Sequence, residues 1–245
     1  MLFLFAVIGS ALWLALKPSS WSPVTRSVLV RQLYFTGVQA LPITVIAGLA
    51  VGISVVGQLG IWLDKVDQLV FFGPLVMGIV IENLAPLLVN LMVVSRSGTA
   101  MTTELASMVV QEEIRVLDSQ GIDPFLYLVI PRLIAMPLAI LCLTVIFIAM
   151  ALLGGYGFGL LLNIHTLRYR PFADTVFVNL DALVIGLLLA KTVIPGLLAG
   201  AICCVRGLSV APIPTAVPQA SASALPQAIA ALFISSVLLS LVRLL

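Results

Sequence analysis

Two ionisable side chains lie inside stretches that are otherwise apolar. Glu82 lies in one stretch with Asn83 and Asn90, and Lys191 lies in another. A charge near the centre of a bilayer costs about 2.5–3.5 kcal/mol unless it is paired or faces water. These residues therefore predict a polar cavity that handles a charged or amphipathic substrate. The alternative is a structural pair that only holds helices together, and the sequence leaves both open.

The sequence gives little indication of metal binding, of a catalytic triad or of ATP hydrolysis by this chain. Cys142, Cys203 and Cys204 lie in apolar runs, with no nearby histidine, and are interpreted as small buried hydrophobic residues rather than metal ligands. His165 is the only histidine, and no serine, histidine and aspartate cluster as in a catalytic triad. No phosphate-binding GxxxxGK[ST] loop is present. We therefore predict a non-catalytic chain without a metal or cofactor, driven by a partner or by an ion gradient.

The composition predicts an all-α integral membrane protein with one domain, residues 1–245. Of the 245 residues, 62% are hydrophobic and 9% are charged, whereas soluble domains carry about 25% charged residues. The net charge of +2 does not suggest nucleic-acid binding. The apolar runs are continuous rather than alternating, which favours helices over a barrel. The predicted spans are Val38–Leu63, Leu69–Val94, Leu133–Gly159, Ala182–Val205 and Leu225–Leu245.

The N-terminal region, residues 1–34, is predicted to lie at the membrane surface. Met1–Leu16 is short for a span and is interpreted as an interfacial elbow helix, with a true span as the alternative. Basic residues then set the orientation. Placing Arg26 and Arg31 in the cytoplasm puts most other basic residues there too, so the N-terminus is predicted inside and the C-terminus outside.

The charged segment 95–124 separates the apolar halves and holds five of the ten acidic residues. Its apolar residues Met101, Leu105 and Met108 share one helical stripe, which is predicted to continue to Val116. Gly121 is a predicted helix stop, and Asp123-Pro124 a predicted restart. This pattern predicts a cytoplasmic docking helix between the second and third spans. The later stretch 210–226, rich in proline, alanine and serine, is predicted to be an irregular connection or short helices.

Three blocks of sequence resemble the MlaE (YrbE-type) permeases of bacterial lipid-transport ABC systems. The first is Leu29-Val30-Arg31-Gln32-Leu33-Tyr34 with Gly37-Val38. The second runs from Pro86 through Arg96-Ser97-Gly98, Thr103-Glu104 and Glu112 to Gly121-Ile122-Asp123-Pro124 and Ile130-Pro131-Arg132. The third is Lys191 with Cys204-Val205-Arg206-Gly207. The similarity covers nearly the whole chain and is weakest in the first twenty residues.

The resemblance implies an elbow helix, five spans and a cytoplasmic coupling helix. It also implies a homodimer in the bacterial inner membrane, which encloses a cavity for phospholipid or a similar lipid. A separate ATPase subunit would hold the ATP and Mg²⁺, and an MCE-domain protein would be the periplasmic carrier, in a system that maintains outer-membrane lipid asymmetry. On this basis the lipid cavity is assigned Glu82, Asn83, Asn90 and Lys191, and the ATPase contact is assigned Arg96, Glu104, Glu112 and Arg115.

The sequence also departs from the family pattern. Many members read Arg-Glu-Leu-Gly-Pro where this chain reads Glu82-Asn83-Leu84-Ala85-Pro86, so the charge of the cavity is altered. The loop 216–227 lacks the usual arginine- and threonine-rich pattern. Two other functions remain open, an ion-coupled secondary transporter and a non-transporting scaffold. The first would need several carboxylates within the spans and usually an inverted repeat, and the second would not need Glu82 and Lys191 inside spans.

Overall fold

A computed structural model describes residues 23–66, 71–161 and 182–242. Within those ranges the chain is almost entirely helical, without a strand. Five helical runs are long and apolar enough to cross a membrane, as the sequence predicts, and they are Arg26–Leu63, Phe72–Val110, Phe125–Gly159, Leu183–Leu208 and Ala216–Val242. The elbow segment Met1–Leu16, the loop with His165 and the C-terminal residues 243–245 lie outside the described residues.

The helices are labelled in chain order. They are α1 (Pro23–Thr36), α2 (Leu41–Val51), α3 (Gly57–Val66), α4 (Phe72–Val76), α5 (Ala85–Val93), α6 (Thr99–Val110), α7 (Glu113–Ser119), α8 (Ile130–Leu161), α9 (Ala182–Leu208) and α10 (Ala216–Val242). A 3₁₀ turn at Val38–Ala40 precedes α2. The π-helical segments Gly52–Val56, Met77–Leu84 and Val94–Gly98 join consecutive helices, and a fourth, Phe125–Val129, leads into α8.

Two of the π-helical segments end shortly before a proline. Met77–Leu84 is followed by Pro86, and Phe125–Val129 by Pro131. In an α-helix the proline ring clashes with the carbonyl four residues earlier. The wider π turn moves that carbonyl away, so the helix continues through a residue that would otherwise break it. Such segments are rare and often lie at functional sites.

The described helices form two compact units. Unit 1 comprises residues 23–39, 90–140 and 193–242, and unit 2 comprises residues 40–66, 71–89, 141–161 and 182–192. Each unit gathers helices that are distant in sequence.

In unit 2, α2 and the π-helical segment that follows it pack closely against α8. We call this contact the seam between α2 and α8. A Cβ added to Gly48 would lie 2.9 Å from the carbonyl oxygen of Phe147, and one added to Gly52 would overlap the carbonyl of Ala151. Glycine is needed here because the two backbones approach too closely for a side chain. The Gly48–Gly52 pattern in the sequence therefore serves packing within the chain.

Unit 1 is held largely by α10 packed against α6. Ala220, Ala224 and Ala228 recur every four residues on α10 and are buried. Their small side chains let α10 approach α6 closely. The hydroxyls of Thr103 on α6 and Ser221 on α10 lie 2.7 Å apart. A hydrogen bond between two side-chain hydroxyls thus joins α6 and α10 beside the buried alanines.

Several predicted boundaries differ from the structure, where the first and third runs begin earlier than predicted, at Arg26 and Phe125. The last helix begins at Ala216 rather than at Leu225, so only the residues just before Ala216 form an irregular connection. Pro218 lies in its first turn, where proline is tolerated, and Pro226 lies inside the helix. The second predicted span ends at Val94, whereas the structure remains helical to Val110, because a π-helical segment carries α5 into α6.

Candidate functional site

The first candidate site is a polar cluster in unit 2 in which Lys191 and Glu82 are buried and Asn83 is exposed. Lys191 is 4% exposed, and Glu82 is 2% exposed. The Lys191 ammonium donates one hydrogen bond to Oδ1 of Asn83, at 2.8 Å, and one to the main-chain oxygen of Glu82, at 3.2 Å. The structure therefore brings together three of the four residues that the sequence assigns to the cavity.

The local backbone explains why Lys191 is placed there. In an α-helix the carbonyl of Glu82 would accept from the N–H of residue 86, but Pro86 has no N–H. Lys191 supplies a donor to that carbonyl from α9. The Asn83 amide is oriented by a second bond, which its Nδ2 donates to the main-chain oxygen of Gly78, at 2.6 Å. The site thus joins the π-helical segment Met77–Leu84 to α9.

Asn90 is the fourth residue assigned to the cavity. It is 1% exposed and belongs to unit 1. Its role in the cavity stays a prediction.

The second candidate site is the charged segment 95–124, which lies in unit 1. Along α6 the stripe of Met101 and Leu105 is buried, as the sequence predicts. The stripe does not continue to Val116, which is 53% exposed. The reason is a break at Glu112, whose φ of 59° is left-handed and ends the helical register.

The end of this segment is an exposed tip, residues 111–123. It contains α7, which has no buried residue. Glu112 and Arg115 form an exposed ion pair at 3.4 Å. Gly121, with φ of 75°, ends α7 as predicted. The Asp123 carboxylate then accepts a hydrogen bond from the N–H of Phe125, at 2.9 Å, which confirms the predicted restart.

Two residues assigned to the ATPase contact are engaged within the chain. Arg96 donates from Nη2 to Oε1 of Gln39, at 3.2 Å. Oε2 of Glu104 lies 2.9 Å from Nη2 of Arg132. The tip residues Glu112 and Arg115 are therefore better placed than Arg96 and Glu104 to meet another protein.

Arg132 is a residue whose role the sequence did not indicate. Its side chain is 2% exposed, and its Nη1 also donates to the main-chain oxygen of Leu128, at 2.9 Å. Through Glu104 it connects α8 to α6. In the sequence, Arg132 belongs to the Ile130-Pro131-Arg132 triplet of the family resemblance. The one feature that could have indicated its role is its position as a basic residue at the start of an apolar run.

The three cysteines differ in their exposure. Cys203 and Cys204 are buried as predicted, but Cys142 is exposed. Within the described ranges, no group of three or more histidine, cysteine or acidic residues could hold a metal ion. The arrangement can bind and orient polar groups inside a membrane and can present charges to a partner.

The chain is similar in sequence to known proteins over most of its length. The family model described as permease MlaE matches residues 29–242. A probable ABC transporter permease protein of Rickettsia conorii is 28% identical over 208 residues, covering 84% of this chain and 76% of the relative.

Two further relatives carry more specific descriptions. The intermembrane phospholipid transport system permease protein MlaE of Haemophilus influenzae is 30% identical over 128 residues, covering 52% of this chain and 49% of the relative. The chloroplastic protein TRIGALACTOSYLDIACYLGLYCEROL 1 of Arabidopsis thaliana is 29% identical over 164 residues, covering 65% of this chain and 45% of the relative.

Proposed function

We propose that this chain, which belongs to the MlaE permease family, is the transmembrane subunit of an ABC transporter that moves phospholipid or a similar amphipathic lipid. Family membership and the five apolar helices make it a multi-pass membrane protein. The phospholipid cargo is supported by the similarity to the intermembrane phospholipid transport permease of Haemophilus influenzae. The bacterial inner membrane is the proposed location, with the N-terminus in the cytoplasm and the C-terminus in the periplasm.

The observation that carries this proposal is the exposed tip, residues 111–123. It follows the buried part of α6 directly and leaves Glu112, Arg115 and Val116 exposed. A surface with charged residues around an apolar side chain is typical of a protein contact. We propose that a cytoplasmic ATPase subunit, which holds ATP and Mg²⁺, binds this tip and moves α6.

The Lys191 cluster is the proposed part of the lipid path. Its buried ammonium and the Asn83 amide offer a donor and an acceptor within the spans. Polar residues inside a membrane bundle commonly mark a substrate path. Two copies of the chain would enclose the cavity, and an MCE-domain protein would exchange lipid with it on the periplasmic side.

Affinity purification in mild detergent tests the assembly directly. We expect an ATPase subunit, an MCE-domain protein and phospholipid to be recovered with the tagged chain. Mass spectrometry of the eluate identifies both proteins and the lipid. An assembly without an ATPase, whose transport responds to a proton gradient instead of ATP, would support the ion-coupled alternative.

Charge reversal at Glu112 tests the tip. Glu112→Arg is expected to lower recovery of the ATPase about tenfold, because an interfacial charge that meets its own sign costs more than 1 kcal/mol. Lys65→Glu, at an exposed residue predicted on the opposite side of the membrane, is the matched control. Unchanged recovery with the Glu112 variant, with both variants folded, would remove the tip from the interface.

A further inference from the structure

A cavity of about 390 Å³ lies in unit 1 between α1 and α6. Its volume is in the lower part of the range for ligand sites, about 300–1,000 Å³. It shares no residue with the Lys191 cluster. The lining residues are Arg31, Gln32, Tyr34, Phe35, Gln39, Ala100 and Glu104.

The charges around this cavity favour an anion. Arg31 forms no ion pair with any residue that the structure describes. Glu104 also lines the cavity, but its carboxylate lies 2.9 Å from the buried guanidinium of Arg132, which balances its charge. A second guanidinium, that of Arg96, bonds to the lining residue Gln39. The balance around the cavity is therefore positive.

The lining groups fit a phosphate carried on a short carbon chain. A guanidinium can bind two oxygens of one phosphate in a fork. The amides of Gln32 and Gln39 and the hydroxyl of Tyr34 add hydrogen-bond donors along the same wall. Phe35 and Ala100 supply an apolar surface for carbon atoms. The size suits a headgroup rather than a whole lipid.

The position on α1 indicates where such a phosphate comes from. Val30 and Tyr34 lie four residues apart on α1 and are 59% and 58% exposed. In a membrane protein, exposed apolar side chains on one helical face contact lipid. Tyr34 therefore borders both the lipid-facing surface and the cavity.

We propose that this cavity binds the glycerophosphate headgroup of a membrane phospholipid, as a second lipid site apart from the transport path. The phosphate lies against Arg31, and the acyl chains leave along the exposed apolar face of α1. The same glycerophosphate chemistry exists in soluble compounds, which the experiment separates from the lipid. Because α6 forms one wall, an occupied site would steady the helix that leads to the tip.

Native mass spectrometry of the full chain, exchanged into detergent with a defined lipid, tests this site. Phosphatidylglycerol is the probe, and soluble glycerol 3-phosphate is the competitor. Arg31→Gln is expected to lower the apparent affinity for one phosphatidylglycerol per chain about tenfold. Ala100→Leu, which fills the cavity without changing charge, is expected to lower it as well. Millimolar glycerol 3-phosphate is expected to leave the lipid bound.

Arg26→Gln is the matched control, because Arg26 is an exposed arginine on the same helix and does not line the cavity. It should retain lipid as the unmodified chain does. Equal losses with the Arg31 and Arg26 variants would show only general attraction to charge and overturn the site. Full retention in both the Arg31 and Ala100 variants would overturn it too. Saturable binding of glycerol 3-phosphate that displaces the lipid would assign the cavity to a soluble phosphate and overturn the lipid source.

Discussion

At the scale of single residues, Lys191 shows how a membrane helix tolerates a charge. Its ammonium meets a carbonyl that precedes a proline and an amide oxygen that is itself held by the helix backbone. Each contact replaces a bond that water would otherwise make. The buried lysine therefore has a structural role whether or not it also meets the lipid.

Asn83 offers a direct test of that role. Asn83→Leu removes the acceptor at 2.8 Å and should destabilise the fold by about 1–3 kcal/mol, because a buried charged donor loses a partner. Thermal unfolding in detergent measures the effect as a lower midpoint temperature. Asn83→Asp keeps the acceptor for Lys191 but, like the Leu variant, loses the bond to Gly78, so it should unfold between the Leu variant and the unmodified chain. A Leu variant as stable as the Asp variant would contradict the contact.

The Glu104–Arg132 pair gives a second prediction at this scale. Glu104→Arg places two guanidinium groups together, and Arg132→Glu places two carboxylates together, so each single change should uncouple ATP hydrolysis from lipid transfer. Hydrogen bonds to charged groups contribute about 1.5–3 kcal/mol to stability, so each single change should loosen the contact between α6 and α8 and lower the amount of lipid transferred per ATP. The measurement is lipid transferred per ATP hydrolysed by the reconstituted transporter.

The exchanged double variant is the control for that pair. It restores opposite charges across the same gap and should recover most of the transfer ratio. Damage that simply adds in the double variant would show that the two residues act independently. The single variant Arg26→Glu, at an exposed position on α1 away from the pair and from the tip, tests whether any charge change in the same unit has the same effect.

Contacts between residues close in sequence could be predicted from the sequence. Contacts between residues far apart in sequence could not. Glu82 and Lys191 stand out in the sequence because charges are rare in apolar runs, and the Asp123 cap needs only its own helix. Glu104 could not be assigned to Arg132 from sequence, because nothing local indicates which of several basic residues lies opposite. The pairing of Glu104 with Arg132 is therefore seen only in the structure, and the assignment of Glu104 to an ATPase contact stays a prediction.

At the scale of helices, close approach is set by residues that lack side chains. The seam between α2 and α8 depends on Gly52, whose position leaves no space for a Cβ. Helix association in lipid relies on such packing because no hydrophobic effect drives it there. Substitution at the seam should therefore cost more than substitution at other glycines of the same unit.

Gly52→Ala tests this expectation. The added methyl group meets the Ala151 backbone, and overpacking of this kind costs about 1–3 kcal/mol. Gly186→Ala is the matched control, because a Cβ at Gly186 has nothing within 4 Å and alanine favours a helix by up to about 1 kcal/mol. The midpoint of thermal unfolding should fall for the first variant and stay level or rise for the second. The opposite order would contradict the seam.

Helix existence was predictable from the sequence, but some helix ends were not. Five long apolar runs define the five candidate spans because lipid leaves the backbone no other partners. The start of α10 was missed because Pro218 and Pro226 indicate breaks. The structure instead tolerates them, with Pro218 in the first turn and Pro226 at an exposed position inside the helix, while the opposite alanine-rich face of α10 packs against α6. The start of α10 therefore depends on its packing against α6 and not on the helix propensity of its own residues.

At the scale of the whole molecule, a proposed transport role needs one orientation in the membrane. The tip at 111–123 can meet an ATPase only if it lies in the cytoplasm. The connection just before α10 should then face the same side, because one pair of spans separates it from the tip. The end of α3 should face the opposite side. The bias of basic residues predicts this arrangement.

Single-cysteine labelling tests the orientation. Gln111→Cys and Ser209→Cys, both at exposed positions, should react with a membrane-impermeant maleimide in inverted vesicles but not in intact spheroplasts. Lys65→Cys, at an exposed position of α3, should show the reverse. Cys142→Ser removes the exposed native thiol from the background, whereas Cys203 and Cys204 are buried. Labelling of Gln111→Cys in spheroplasts would place the tip outside the cell interior, where no ATPase subunit could bind it.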